Sequence, residues 1–403
     1  MEPGSVPLPV DPADDYPYLD WLLYLLGWSR TDLSLPRLRI HSQVGRVTSL
    51  DDAQQQALVD DIPDGILAVP ALIQLATTAG PSFGQRLAVL GGSVSCADLL
   101  DVSSFLCGGL QFSQALAAGP SSQPPPVTRS RSPLLTPQLF AQLAAKGWLF
   151  PGHGRRRRHC PEPASPLWAV PKADGIRHRL ITDMRHLNAR LARPPPLGLP
   201  MLSSLLGGLA ASVSQLPDPL AVVWDMRGWF FQLAISGDLS QSCVVAGPGP
   251  HSIGRMLRLP QGLSWAPVCA QRIHVSLIQC AAHALPAADA AQLTASSWLD
   301  NGVVVGPQPL VRQFWAAFAT LCADLGATIK EHSVGTDVPY CGFRFRVRPH
   351  CFTWSVAPAL AAKLAAPLPP ASGLTPLSVF RLAQAWHYGL PRHVLCPSAT
   401  FSK

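Results

Sequence analysis

Two kinds of apolar pattern alternate along the middle of the chain. Short runs bounded by glycine, proline or charged residues, at Leu167 to Val170, Arg179 to Thr182, Leu220 to Trp224, Ser296 to Leu299 and Val303 to Val305, predict β-strands. Longer stretches with helical apolar spacing, Thr136 to Trp148, Ala266 to His283 and Pro309 to Leu325, predict helices, the first ending near Gly147. Further helices are expected around Tyr18 to Trp28 and Gly65 to Thr77, between proline and glycine breaks. Strands and helices mix without the regular alternation of a doubly wound sheet, and no segment repeats at a fixed period. The expected class is α+β.

The stretch from Gly119 to Pro133 (GPSSQPPPVTRSRSP) has the proline and serine content of a linker and places a boundary over residues 118–133. Residues 1–117 before it form an extension with no recognisable constellation of chemical groups. With 403 residues, 48% of them hydrophobic, the chain has ample material for a core, which excludes disorder throughout. Lys and Arg number 31 against 24 Asp and Glu, a formal charge of +7 that suits a polyanionic partner without requiring one. The ten cysteines include no C-x-x-C pair and no Cys/His cluster at zinc spacing, so a reducing compartment is expected, cytoplasmic or nuclear. The N-terminus lacks a basic leader, and the run Leu19 to Trp28 falls well short of the roughly 20 residues of a spanning helix, so no membrane partner is expected.

Candidate chemistry enters with two aspartates. Val222-Val223-Trp224-Asp225 is an apolar strand that ends in a carboxylate. Ser297 to Val305 is a second case, in which Asn301-Gly302 is the dipeptide favoured for a tight hairpin turn after Asp300. Read singly, each aspartate is a turn residue. As a pair presented at one sheet edge they could hold divalent cations.

The neighbouring segments change that balance. Leu139 to Gly147 and then Ser165-Pro166-Leu167-Trp168-Ala169-Val170-Pro171-Lys172 are followed by Arg179 to Asn188, which ends in the pattern D-x-R-x-L-N. Asp225-Met226-Arg227-Gly228-Trp229-Phe230-Phe231-Gln232-Leu233 comes next. Leu259-Pro260-Gln261-Gly262-Leu263-Ser264-Trp265-Ala266-Pro267 then gives L-P-x-G-L-x-x-A-P, and Trp298-Leu299-Asp300-Asn301 stands where an aromatic, any residue and two aspartates are usual. In this order the segments resemble the reverse transcriptase of retrotransposon-type elements, gypsy-like or of the tyrosine-recombinase class, over residues 136 to 390.

The resemblance implies a right-hand polymerase: fingers and palm over 134–345, a partial thumb over 346–392, which includes a helix at Thr375 to Leu390, and a tail over 393–403. It implies an RNA-directed DNA polymerase that uses two metal ions, Mg2+ or by preference Mn2+, with deoxynucleoside triphosphates and an RNA or DNA template carrying a primer as partners. Asp225 and Asp300 would be the metal ligands, with Asn301 beside them. Lys172 and Arg179 would meet the triphosphate, and Phe230 would pack under the sugar and exclude a 2′ hydroxyl. Gln261 and Gly262 would contact nucleotide and template. Lys330 would protonate the leaving pyrophosphate, and Tyr340, Cys341 and Gly342 would grip the primer. The basic run Arg155 to Arg158 is a candidate phosphate contact.

One departure keeps a second reading open. Asn301 replaces the family's second aspartate and removes a negative charge from the metal site, as expected of a weakened or inactive reverse transcriptase-like protein that binds nucleic acid. After residue 392 there is no room for an RNase H, integrase or recombinase domain, and the sequence-based expectation is a polyprotein fragment or a relic.

Overall fold

The strand-like runs settle into separate sheets in the computed structural model, which describes residues 49–119, 134–153, 164–172, 177–200, 202–249 and 252–358. In chain order the strands are β1 (Ala88–Leu90), β2 (Leu149–His153), β3 (Leu167–Pro171), β4 (His178–Thr182), β5 (Pro219–Met226), β6 (Val244–Ala246), β7 (Ser252–Met256), β8 (Thr294–Trp298), β9 (Asn301–Pro307), β10 (Ile329–Gly335), β11 (Asp337–Tyr340), β12 (Phe343–Arg348) and β13 (Cys351–Val356). The largest sheet has the order β1-β8-β9-β5-β10, antiparallel except where β1 runs parallel to β8. Strands β2, β7 and β6 form a second sheet, β3 and β4 a hairpin, and β11, β12 and β13 a third sheet. The class is α+β.

Strand β5 is apolar without interruption from Leu220 to Trp224 because it lies between β9 and β10, and those residues are all buried. The helix Gln308–Asp324 packs on β5 and β9, and Trp224 meets the ring of Phe318 at 4.5 Å between centroids. Gly302, paired with Trp224 across the ladder, has no room for a side chain: a Cβ there would overlap the indole ring. The helix Ala266–Ala282 is buried along most of its length and packs against β8 and the helix Gln308–Asp324. It matches the predicted span closely.

The helix expected from Gly65 begins only at Val69. The preceding backbone is tied elsewhere, since the Leu67 N–H donates to the Gln232 carbonyl (2.9 Å) and the Ala68 N–H to the Leu325 carbonyl (2.8 Å). The predicted helix at Thr136 forms as Pro137–Ala145, with the Thr136 hydroxyl accepting from the Leu139 N–H (3.1 Å) and Gly147 leaving the last turn at φ 61°.

Described residues within 46–200 and 204–355 cluster as one unit. The division at 345/346 falls inside β12, whose Phe345 and Arg346 both pair with β11. The helices at Tyr18 to Trp28 and Thr375 to Leu390, the run Arg155 to Arg158 and the linker from residue 120 onward lie outside the described residues. Among the described residues no helix is long and apolar enough to cross a membrane.

Candidate active site

Asp225, next to last in β5, lies opposite Asn301 of β9, and the residue before Asn301, Asp300, lies in the turn between β8 and β9. The Met226 N–H donates to the Asp300 carbonyl at 2.8 Å, fixing the turn beside the end of β5. The two carboxylates are near enough to act on one another. Burial first, and then the negative charge of Asp225, hold the Asp300 carboxyl above the ordinary carboxylate range, against smaller opposing effects from its backbone hydrogen bond, Arg179 and Asn301.

The turn itself is displaced from the expected one. Trp298 pairs with Asn301, so the two loop residues are Leu299 and Asp300, while Asn301-Gly302 belongs to strand β9. Leu299 takes φ 55°, a left-handed conformation unfavourable to a side chain-bearing residue other than Asn or Asp. Helix Ala266–Ala282 holds it there. Gln271 Oε1 accepts from the Leu299 N–H (2.7 Å), and His274 Nδ1 lies 2.6 Å from the Leu299 carbonyl and 3.0 Å from Ser297 Oγ. The Trp224 indole N–H, which can only donate, reaches His274 Nε2 at 2.9 Å. His274 Nε2 is therefore the acceptor nitrogen, and Nδ1–H donates to the Leu299 carbonyl. Burial pulls the His274 pKa down to about 4, in keeping with a neutral ring.

Around the carboxylates a cavity of about 420 Å³ brings together Asp225, Asp300, Lys172, Arg179, Phe230, Gln261, Gly262 and Lys330. Lys330 Nζ donates to Asp225 Oδ2 (2.6 Å) and Glu331 Oε1 (2.8 Å). Local burial lowers its pKa, but the two carboxylates outweigh this and raise it on balance. Phe230 follows Gly228, whose φ of 49° starts the short helical turn Trp229–Gln232. Gly262 has φ 126°, and a Cβ there would overlap the Thr182 carbonyl, which explains glycine at this point of the loop. Asn188, which ends the D-x-R-x-L-N segment, clamps the same loop by donating to the Gly262 carbonyl (2.8 Å) and accepting from the Ser264 N–H (2.8 Å). Two motifs distant in sequence are one structural device. Gln261 Oε1 is buried without a hydrogen-bond partner among the described residues.

Asn301 does not line the cavity; its Nδ2 donates to Asp300 Oδ1 at 2.9 Å. Tyr340, Cys341 and Gly342 lie outside it as well. Cys341 (φ 49°) and Gly342 (φ 83°) form the two-residue turn between β11 and β12.

Three participants carry no signal in the sequence pattern. Gln271 and His274 look like polar interruptions of a core helix. Asp61, from the N-terminal region, enters the cavity and pairs with Lys172 at 2.7 Å.

For a divalent cation the fit is limited but real: Asp225 and Asp300 are adjacent oxygen donors whose mutual repulsion a cation would relieve. Each already has one oxygen engaged, by Lys330 and by Asn301. Among the described residues no cluster of three or more His, Cys, Asp or Glu side chains is arranged to hold a metal.

No protein-family model matches the chain, and no curated protein matches it. Among solved structures it is similar to the foamy viral protease-reverse transcriptase dRH in complex with double-stranded DNA, with 16% identity, 64% of this chain and 41% of that one covered, and a TM-score of 0.46. It is also similar to native prototype foamy virus protease-reverse transcriptase, with 19% identity, 59% and 30% covered, and a TM-score of 0.41. The chain spans less than half the length of these proteins.

Proposed function

We propose that the chain is a template-directed nucleotidyl transferase of the reverse transcriptase kind, derived from a retroelement, with a fingers-and-palm arrangement around the cavity. The observation that carries this reading is the adjacency of Asp225 and Asp300 at the ends of paired strands, facing a cavity that also holds Lys172 and Arg179. Six motif-like segments in family order support it.

Asp225 and Asp300 would hold the divalent cations, which when bound supply activation of a primer 3′ hydroxyl and neutralisation of charge on the transferring phosphate. The chain's own part is positioning. Lys172 and Arg179 bind the triphosphate, the first as a point charge and the second as a planar fork. Phe230 packs beneath the sugar, where its bulk opposes a 2′ hydroxyl. Lys330, ion-paired with Asp225, holds a proton near the leaving group. The turn of Cys341 and Gly342, with Tyr340 before it, serves as the primer grip.

A second reading, nucleic-acid binding without catalysis, is favoured by one specific observation. Asn301 spends its amide on Asp300 and brings no third carboxylate to the pair. Primer extension on poly(rA)/oligo(dT), run with Mg2+ and with Mn2+, separates the two. Extension that disappears in Asp225→Asn supports the transferase. Binding of primer-template with no extension in either metal supports the second reading.

A further inference from the structure

Asp61 belongs to a region whose sequence announces no chemistry, yet its carboxylate occupies the cavity beside the residues assigned to the triphosphate. Its Oδ2 lies 2.7 Å from Lys172 Nζ, and the two side chains are only 24% and 20% exposed, so the pair is largely withdrawn from water. The backbone that carries it is fixed from several sides. The Asp61 N–H closes the helix Asp52–Asp60 by donating to the Ala57 carbonyl (3.2 Å). Arg227 Nη2 donates to the Asp60 carbonyl (2.6 Å), and Gly228 approaches the Asp61 carbonyl so closely that a Cβ would fall 2.7 Å from it. Just beyond, Arg258 Nη1 donates to the Pro63 and Gly65 carbonyls at 2.9 and 3.1 Å. The segment is thus anchored to the turn that follows Asp225, and Asp61 is held where it is rather than meeting Lys172 by chance of a loose loop.

Resting on the reading of this cavity as a nucleotide site, we propose that Asp61 is the resident counter-ion of Lys172, which an incoming triphosphate must displace. The pairing has two opposed consequences. It keeps the ammonium directed into the cavity, which organises the site. It also places a fixed negative charge against a ligand that carries several, and makes each binding event an exchange of one anionic partner for another. The ligand class is a nucleoside triphosphate or another polyphosphate. Monoanions, which offer Lys172 no more charge than Asp61 does, should displace it poorly.

The test uses the full chain with a fluorescent deoxynucleoside triphosphate in Ca2+, read by anisotropy, with inorganic tripolyphosphate as competitor. Native protein, Asp61→Asn, Lys172→Ala and the double variant are compared, with thermal unfolding as the check on folding. Asp61→Asn is expected to tighten triphosphate binding about fivefold, and Lys172→Ala to weaken it about tenfold. The Asp61→Asn gain should vanish in the Lys172→Ala background, because it acts through that ammonium. A part that is merely structural predicts no gain in affinity. If Lys172→Ala weakens binding while folded Asp61→Asn binds no more tightly than native, or if the gain persists without Lys172, the role of Asp61 is overturned and the nucleotide site stands. If Lys172→Ala leaves binding unchanged, the nucleotide reading of the cavity fails and the proposal falls with it.

Discussion

Asp300 and Arg258 are both charged side chains drawn out of water, and the fold treats them in opposite ways. Arg258, 2% exposed, spends its guanidinium on carbonyls from three segments: Pro63, Asp64 and Gly65; Lys146 and Gly147; and Phe231, at 2.8 to 3.4 Å. Burial pulls its pKa below the ordinary arginine value, yet it remains the cation that ties the N-terminal segment to the residues before β2 and to the turn Trp229–Gln232. Asp300 has a like charge for a neighbour, sits in a turn with Leu299 at φ 55°, and has its carboxyl pushed up by burial and by Asp225. One charge is fully satisfied and serves stability. The other is left short of partners, as expected where a ligand completes the site.

Breaking the satisfied centre should have the largest effect. Arg258→Met strands several buried carbonyls at once, and we expect a loss of about 4 kcal/mol, read by urea denaturation. A loss below about 1 kcal/mol would mean that water replaces the guanidinium and the contrast is overstated. His274→Phe attacks the brace instead. It leaves the Trp224 indole N–H and the Leu299 carbonyl without their partner, at a cost of about 2 kcal/mol, with single-nucleotide addition falling about tenfold as Asp300 loses its fixed position. If unfolding moves but nucleotide addition by the folded variant does not, the brace serves the core alone.

Asn301→Asp sharpens the comparison at the site. It removes the amide donated to Asp300 and adds a charge, so stability without metal should fall by about 1 kcal/mol. Magnesium-dependent extension should rise about tenfold, equivalent to roughly 1.4 kcal/mol of barrier, from a native activity that is weak and stimulated by Mn2+. The smallest effect is a pH dependence. The folded Asp300 carboxyl binds its proton more tightly than the unfolded one, so stability is highest when it is protonated and declines as pH rises from the ordinary carboxylate range to the raised folded value. Asp300→Asn removes that decline. Denaturation curves of the two proteins should separate as pH rises through that window, with the variant the more stable above it.

The central strands and long helices were legible because their apolar runs are uninterrupted, and the meeting of Asp225 and Asp300 at one sheet edge followed from two apolar segments that each run into an aspartate. The turn was not. Asn301-Gly302 carries the strongest local hairpin signal, but Gln271 and His274 hold Leu299-Asp300 in the loop from a helix more than twenty residues earlier, and Gly302 is reserved for the Trp224 ring. The Arg258 cage could not be read because its partners are backbone carbonyls, which carry no side-chain identity. Asp61 is one acid among several near the end of a short helix, and only the fold gives it Lys172.

The most direct test of the account is to measure single-nucleotide addition and folding stability on the same preparations of native protein and Asp300→Asn, in Mg2+ and in Mn2+. The account predicts that the variant loses addition about a thousandfold or more in both metals while its resistance to urea at neutral pH is equal to or above that of the native protein. A variant that is markedly less stable and no less active relative to native would contradict it, because Asp300 would then be a structural carboxylate and the site would lie elsewhere.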